Sequence, residues 1–370
     1  MSARFLTVVL ERAFNMRDGF GREIDYMRIS VIDSCNLNCY YCNPCDNNEH
    51  CHALNILSVK EVLCIVRAAT RLGIKHFRLT GGEPLLHPQL DEMVLQIKKI
   101  PGVSSVSLTT NAVLLAQHAK WLKEAGIDSI NVSLDTIDAS EYERITKKPL
   151  LEEVKHGINA AIECGIRVKI NVVLTPQTDV VALTRYVAKK GTDIRFIEMM
   201  PVGEGHTNGV EPYKKVIGTL SKLYGEPCRI NTEKTKEINS GNDKRKIPDN
   251  GPAEYYIFPE LGIRVGLIQA IHGKFCDTCN RIRVTADGRL MPCLGSSVMM
   301  DLVPDSWNFA DDVEKDFAIV RALRAAIKAK PRCHNFNDNA VTYTKTTETK
   351  TTEIEAAEVN AARNMSRIGG

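Results

Sequence analysis

Between Tyr26 and Ile197, six short runs rich in Val, Ile and Leu alternate with helix-patterned segments, and this rhythm restricts the fold more than any other feature. The runs are Tyr26–Ile32, Lys75–Leu79, Val103–Leu108, Ser129–Leu134, Ile166–Leu174 and Asp193–Ile197. Helical patterns lie between them, for example Ser58–Leu72, Gln89–Lys99 and Leu151–Cys164. Ser58 and Glu61 have capping-box spacing at the start of the first, and Gly73 stops it. Six such alternations predict parallel βαβ units, hence an α/β fold in the form of an open or partial barrel. At roughly 150 residues per domain, 370 residues accommodate two domains, or one large barrel with an appendage.

The rhythm breaks near Pro201. Residues 203–210 and 238–252 are rich in Gly, Asn and Pro and read as loops. A strand-rich stretch follows, with Asp287-Gly288 as the turn of a hairpin between Arg281–Thr285 and Arg289–Leu294. Asp312–Lys330 reads as an amphipathic helix, and Thr342–Glu353 is low in complexity. The expected division is a barrel over 1–200, a second region over 201–336, and a flexible Thr-rich tail over 337–370 that ends in Gly-Gly.

Lys plus Arg number 48 and Asp plus Glu 45, a net charge of +3. So even a balance excludes non-specific coating of nucleic acid or anionic membrane. An anionic ligand must be met by a local cluster of basic residues. The apolar run Phe5–Leu10 ends at Glu11 and Arg12, too short to span a bilayer and without a secretory cleavage pattern. A cytoplasmic protein, with no membrane or nucleic-acid partner, is expected.

Twelve cysteines stand out in that setting. Disulfide frameworks belong to short secreted scaffolds, whereas clustered thiols in a reducing compartment bind metal. Six form two triplets: Cys35, Cys39 and Cys42, then Cys276, Cys279 and Cys293. Three cysteines in one loop suit an iron–sulfur cubane with one iron left open. A zinc knuckle completed by Cys45, Cys51, His50 or His52 is an alternative. A ferredoxin-like run is another, although Glu49 stands where its next Cys is needed. Cys64 and Cys164 fall in helical patterns and read as core. His272 reads as packed or solvated.

Ligand chemistry in parallel barrels gathers at the carboxyl ends of the strands. The first run leads into Cys35-x3-Cys39-x2-Cys42, and the second into Thr80-Gly81-Gly82-Glu83-Pro84. The third ends Thr109-Thr110-Asn111 and the fourth Ser133-Leu134-Asp135. The fifth carries Lys169 and Asn171, and the sixth carries Arg195 and continues to Glu198 and Met200. That rim is the expected site. Asn111, Asp135, Asn171 and Glu198 read equally well as strand-end hydrogen-bonders.

Cys35-Asn36-Leu37-Asn38-Cys39-Tyr40-Tyr41-Cys42 followed by Gly81-Gly82-Glu83-Pro84 resembles the radical S-adenosylmethionine (SAM) signature. Phe275-Cys276-Asp277-Thr278-Cys279-Asn280-Arg281-Ile282-Arg283, with Pro292-Cys293-Leu294, is similar to the MoaA family of GTP 3′,8-cyclases, which begin molybdenum-cofactor synthesis. The terminal Ser366-Arg367-Ile368-Gly369-Gly370 resembles that family's double-glycine ending. The resemblance implies a partial (β/α)6 radical SAM barrel with a C-terminal strand-rich extension carrying a second iron–sulfur cluster. It also implies two [4Fe-4S] clusters, ligated by Cys35, Cys39 and Cys42 and by Cys276, Cys279 and Cys293. In such enzymes a 5′-deoxyadenosyl radical takes the C3′ hydrogen of the GTP ribose, and the resulting carbon radical attacks C8 of guanine.

By motif match, Tyr41, Gly82, Ser133 and Met200 would contact SAM. Arg28, Arg78, Thr109, Lys169, Arg281 and Arg283 would bind GTP. Arg28, Arg78, Arg195, Gly369 and Gly370 would act in catalysis. Arg28, Arg78, Lys169 and Arg195 lie on predicted core strands, where an uncompensated charge is costly. Ala112 stands where the family carries Gly. An electron donor, a downstream cyclic pyranopterin monophosphate synthase and a homodimer are the implied partners. Two other readings are a radical SAM enzyme acting on a peptide and a non-catalytic zinc or iron–sulfur protein.

Overall fold

A computed structural model describes residues 16–42, 55–202, 209–230, 251–296, 298–302, 312–334 and 336. Gly369, Gly370, Cys45, Cys51, the Thr-rich segment and most of the two expected loops lie outside the described residues. Six parallel strands form the centre: β1 (Tyr26–Ser30), β2 (His76–Thr80), β3 (Ser105–Thr110), β4 (Ser129–Ser133), β5 (Val168–Leu174) and β6 (Asp193–Glu198). Helices α1 (Val59–Arg71), α2 (Leu90–Lys98), α3 (Leu115–Glu124), α4 (Ala139–Thr146), α5 (Leu151–Glu163) and α6 (Val180–Lys189) cross between them. The repeated βαβ pattern therefore becomes the partial barrel it predicts.

The later strands do not form a separate layer. They are β7 (Cys228–Ile230), β8 (Glu254–Ile257), β9 (Arg264–Ile268), β10 (Arg281–Val284), β11 (Arg289–Met291) and β12 (Met300–Asp301). β9 adds parallel to β6, and β10 adds parallel to β1, so both edges of the barrel sheet are extended. The order across all twelve strands is β12-β11-β10-β1-β2-β3-β4-β5-β6-β9-β8-β7. The hairpin expected at Asp287-Gly288 forms between β10 and β11, with Gly288 at φ +76°. A helical stretch not anticipated after Pro201 begins with one π-turn at Tyr213–Ile217 and continues as α7 (Gly218–Tyr224). Helix α8 (Asp312–Lys328) packs on α1.

Local chemistry fixes the helix starts. Ser58 Oγ accepts from the Glu61 N–H, while Glu61 Oε2 accepts from the Ser58 N–H at 2.7 Å, a complete capping box. Asp138 and Asp179 cap α4 and α6 with the side-chain half of that arrangement alone, accepting from the Glu141 and Ala182 N–H groups. Ala112 holds the left-handed turn after β3 at φ +66° while fully buried. The turn is thus kept without Gly, against a penalty of roughly 1–2 kcal/mol. A Cβ on Gly157 of α5 would lie 2.4 Å from the Ala112 carbonyl oxygen, so α5 seats on this turn only because residue 157 has no side chain.

Two Gly→Ala substitutions should therefore have opposite signs. Gly157→Ala is expected to destabilise the chain by about 1–3 kcal/mol through overpacking. Gly218→Ala, at a helical position with nothing within 4 Å of the added carbon, should stabilise it by about 0.5–1 kcal/mol. Urea unfolding of both variants checks this.

Candidate active site

The barrel strands are inverted in character relative to an ordinary packed core. Their outward residues, Met27, Ile29, Phe77, Leu79, Val106, Leu108, Ile130 and Val132, are buried under the helices. Their inward residues are polar: Tyr26 and Arg28, His76 and Arg78, Ser107 and Thr109, Asn131 and Ser133, Lys169 and Asn171, then Arg195. Because side chains alternate along a strand, one face builds the core and the other lines a cavity of about 640 Å³. Both cysteine triplets also line it.

At the carboxyl end, the glycine pair acts on the cysteine loop. A Cβ on Gly81 would lie 2.2 Å from the Ile32 oxygen, and one on Gly82 2.1 Å from the Ser34 oxygen. Gly82 N–H donates to Ile32 O at 2.7 Å and Glu83 N–H to Ser34 O at 2.8 Å. The glycines are thus required for backbone to lie against the segment entering Cys35. Glu83 is fully buried and accepts from Leu85 N, Thr110 Oγ1 and Asn111 N at 3.0, 2.7 and 2.7 Å. Its carboxylate braces the end of β2 against the end of β3. Asn111 donates to Asn36 Oδ1 at 2.7 Å and toward the Cys35 sulfur at 3.8 Å. Asp135 accepts from Tyr41 Oη at 2.5 Å and from Val173 N at 2.8 Å. Ser133 and Met200 stand on the same wall.

In mid-cavity, register places cations side by side. Arg283 of β10, Arg28 of β1 and Arg78 of β2 are direct cross-strand neighbours. One step toward the amino end lie Arg281, Tyr26 and His76. Burial first, then Arg283, pushes the Arg28 pKa well down, and burial with Arg281 brings Arg283 to about 10. Burial alone would raise the Tyr26 phenol, but Arg78, Arg28 and Arg281 bring it down to about 8. Arg78 donates to Tyr26 Oη and, at 3.4 Å, to Thr109 Oγ1. Across the barrel, Arg195 Nε donates to Asn171 at 2.9 Å, and Lys169 lies 6.0 Å from the Tyr255 ring. Gly266 makes room there, since a Cβ would meet Arg195 Cγ at 2.8 Å and Tyr255 Cε1 at 2.9 Å.

Acidic groups on the cavity wall have other partners. Asp128 binds Lys98 and the Val106 N–H, and Asp135 binds Tyr41. Glu198 accepts from the Ile271 and His272 N–H groups and pairs with the His272 ring. Arg195 Nη2 and Asn131 Oδ1 are buried with no hydrogen-bond partner among the described residues. Buried polar atoms of that kind are rare, and here they face a cavity large enough for a ligand. The arrangement suits a multiply charged anion.

The sequence placed the site on the carboxyl rim, but the second triplet lies at the other end. β10 runs parallel to β1, with Arg281 opposite Tyr26, so Cys276 and Cys279 precede the amino end of that strand. Cys293 follows β11, which is antiparallel to β10, and returns to the same end. Cys35 follows the carboxyl end of β1. The span between them is about five strand residues, roughly 17 Å at 3.3 Å each. The arginine row lies between.

No described cysteine is part of a disulfide. In the first triplet, burial raises Cys35 to about 11, and burial together with Cys42 raises Cys39 further. Among the described residues no three Cys, His, Asp or Glu side chains converge as ligands for one metal ion. A cubane spreads three thiolates over three irons, so the looser triads fit it better than they fit zinc. Cys64 is buried in α1, Cys164 is half-buried at the end of α5, and Cys228 and Cys333 are exposed. Reading by sequence missed Tyr26, although its spacing from Arg28 puts both on one strand face. It also missed Arg22 and Lys330, which no motif distinguishes.

Glu83 gives a pH signature. Burial raises its pKa from 4.5 to about 7 despite three hydrogen bonds. Between those values the folded state retains a proton that the unfolded chain has lost, so stability falls as pH rises through the window. Glu83→Gln should remove that slope, and at neutral pH it should cost about 1–3 kcal/mol for a misplaced N–H. Urea midpoints across the window test both.

Residues 29–182 match the Radical SAM superfamily model, and residues 192–336 match Molybdenum Cofactor Synthesis C. GTP 3′,8-cyclase of Clostridium perfringens (strain SM101 / Type A) is 36% identical over 324 residues, covering 87% of this chain and 95% of that protein. GTP 3′,8-cyclase of Peptoclostridium acidaminophilum is 37% identical over 328 residues, covering 87% and 94%. Among solved structures, Streptococcus suis SuiB superposes with a TM-score of 0.53 at 15% identity, covering 81% of this chain and 65% of SuiB. SuiB bound to its precursor peptide SuiA gives 0.52 at 15% identity, with 87% and 69% covered. The chain spans about two thirds of SuiB's length, and at that identity the likeness concerns the fold alone. No described helix is long and apolar enough to cross a membrane. With matches on both halves and relatives above the one-third identity level over most of its length, this chain belongs to the GTP 3′,8-cyclase family of the radical SAM superfamily.

Proposed function

We propose that the cavity binds GTP across the row Arg283, Arg28 and Arg78, between SAM at the carboxyl end and a second cluster at the amino end. The chain is a radical SAM GTP 3′,8-cyclase of molybdenum-cofactor biosynthesis, using two [4Fe-4S] clusters and SAM. The observation that carries the assignment is three guanidinium groups in direct cross-strand register inside one cavity. Like charges opposite one another on a sheet repel, and a triphosphate turns that repulsion into charge-assisted hydrogen bonds. A peptide substrate has no comparable density of negative charge.

Roles follow from position. Cys35, Cys39 and Cys42 would hold the first cluster, leaving one iron for SAM, with Tyr41, Gly82, Ser133 and Met200 around it. When bound, cluster and SAM supply reductive carbon–sulfur cleavage and hydrogen-atom abstraction. Arg281, Arg283, Arg28 and Arg78 would fix the phosphates, with Lys169 and Thr109 on the adjoining wall. Arg195, braced by Asn171, has an open Nη2 for an anionic or carbonyl oxygen of the nucleotide. Holding the ribose in one orientation would limit where hydrogen is taken, and the enclosed wall would keep water from the resulting carbon radical. Gly369 and Gly370 are assigned a supporting part in catalysis by family motif.

The proposed division of labour follows the same line. Residues 1–200 carry the SAM end, 201–336 bring the second triplet with Arg281 and Arg283, and 337–370 bring the terminal glycines. An electron donor, transfer of product to cyclic pyranopterin monophosphate synthase, and a homodimer complete the proposal.

Anaerobic turnover of the reconstituted, reduced chain with SAM and GTP should yield 5′-deoxyadenosine in a GTP-dependent manner. Its absence would sink the assignment. Arg281→Ala and Arg283→Ala should each weaken GTP binding by about tenfold or more, as expected for a lost bond to a charged group. Removal of Gly369 and Gly370 should lower turnover while leaving GTP affinity near that of the intact chain.

A further inference from the structure

Lys330 lies just beyond α8 and is 3% exposed. A buried ammonium is costly unless its donors are used. Here two of the three are: Nζ donates to Arg281 O at 2.8 Å and to Pro292 O at 2.9 Å. Those carbonyls belong to residues beside the second triplet, Arg281 two after Cys279 and Pro292 immediately before Cys293. The same positive charge lies close enough to Cys279 to favour its thiolate form. One side chain therefore ties together two cysteine-bearing segments that lie fourteen residues apart in sequence, on either side of the β10–β11 hairpin.

Its neighbours secure the third cysteine. Arg22 is held by Asp18 at 2.5 Å, with both side chains nearly inaccessible. Its two Nη atoms donate to Cys276 O at 2.7 Å, Pro331 O at 2.6 Å and Arg332 O at 2.9 Å. The segment after Lys330 is thus anchored to the Cys276 loop through a guanidinium from the start of the chain. The same strap continues along the cavity. His334 donates from Nε2 to Ala270 O at 2.7 Å, and its Cβ fills the space beside Gly295, two residues after Cys293.

We propose that Lys330 is a positioning residue for the second cluster: it fixes the spacing of Cys279 and Cys293 and sets a cationic side chain at the cluster's edge. The inference rests on the reading that the second triplet holds an iron–sulfur cluster. Three thiolates give such a cluster a net negative charge, and one-electron reduction adds another. A buried cation beside the ligands, tied to the backbone of both cysteine-bearing segments, favours the reduced form and strengthens retention of iron. Neither family motif includes this residue. It is supplied by a segment that lines the cavity beside the second triplet.

The test uses the full-length chain with Cys35, Cys39 and Cys42 replaced by Ala, so that iron reports on the second triplet alone. Lys330→Met in that background is expected to lose iron to a chelator about tenfold more readily and to show a more negative midpoint potential in an electron paramagnetic resonance titration. Lys330→Arg should keep the charge and restore the potential. If the parent holds no iron, the two-cluster reading fails and this inference with it. If the parent holds iron and Lys330→Met matches it in retention and potential, only this inference is overturned. A Met variant whose circular dichroism is lost before iron is added would assign Lys330 to the metal-free fold, and would overturn it equally.

Discussion

Three arginines abreast on adjoining strands are the constraint around which the molecule is arranged. Arg283, Arg28 and Arg78 share one register row, and the sheet cannot relieve them by sliding, since a one-residue slip would turn Met27, Phe77 and Ile282 into the cavity. The cost is tolerated because the opposite face of the same strands contributes a continuous apolar layer under six helices. Stability and binding are thus assigned to alternate residues of each strand. A ligand that neutralises the row stabilises the fold as well.

The cavity's two ends are built by different means. At the carboxyl end, backbone lies directly on backbone: Gly81 and Gly82 press against Ile32 to Ser34, and Glu83 bonds three donors from two neighbouring segments. At the amino end, long cationic side chains reach over to carbonyls, with Arg22 on Cys276 and Lys330 on Pro292 and Arg281. The first device is rigid because it leaves no room. The second is specific because separate N–H groups engage separate carbonyls.

Much of the architecture was legible in the amino-acid sequence. All six barrel runs form strands within about two residues of their expected bounds, because β-branched periodicity, capping boxes and crossover helices are local signals. The cysteine triplets were legible as spacing. What was not legible is placement that depends on long-range register. Nothing local in Arg281–Val284 announces that it pairs parallel to Tyr26–Ile29 and thereby carries Cys279 to the far end of the barrel. Lys330 looked like the last turn of an amphipathic helix, where a basic residue is ordinary. Arg22 had no pattern at all, since its carbonyl partners lie more than two hundred residues away. Ala112 was noted for replacing a glycine, and the structure shows the left-handed turn retained at that position.

The insertion of β10 beside β1 and of β9 beside β6 has a consequence for biosynthesis. While the ribosome is still adding the last third of the polypeptide, both margins of the nascent six-stranded sheet have bare N–H and C=O groups. The barrel cannot close its borders until residues beyond 280 have emerged, so partly made chains are candidates for chaperone capture or edge-to-edge association. An organism making this protein must therefore protect an intermediate that already has most of its helices but neither of its outer rails.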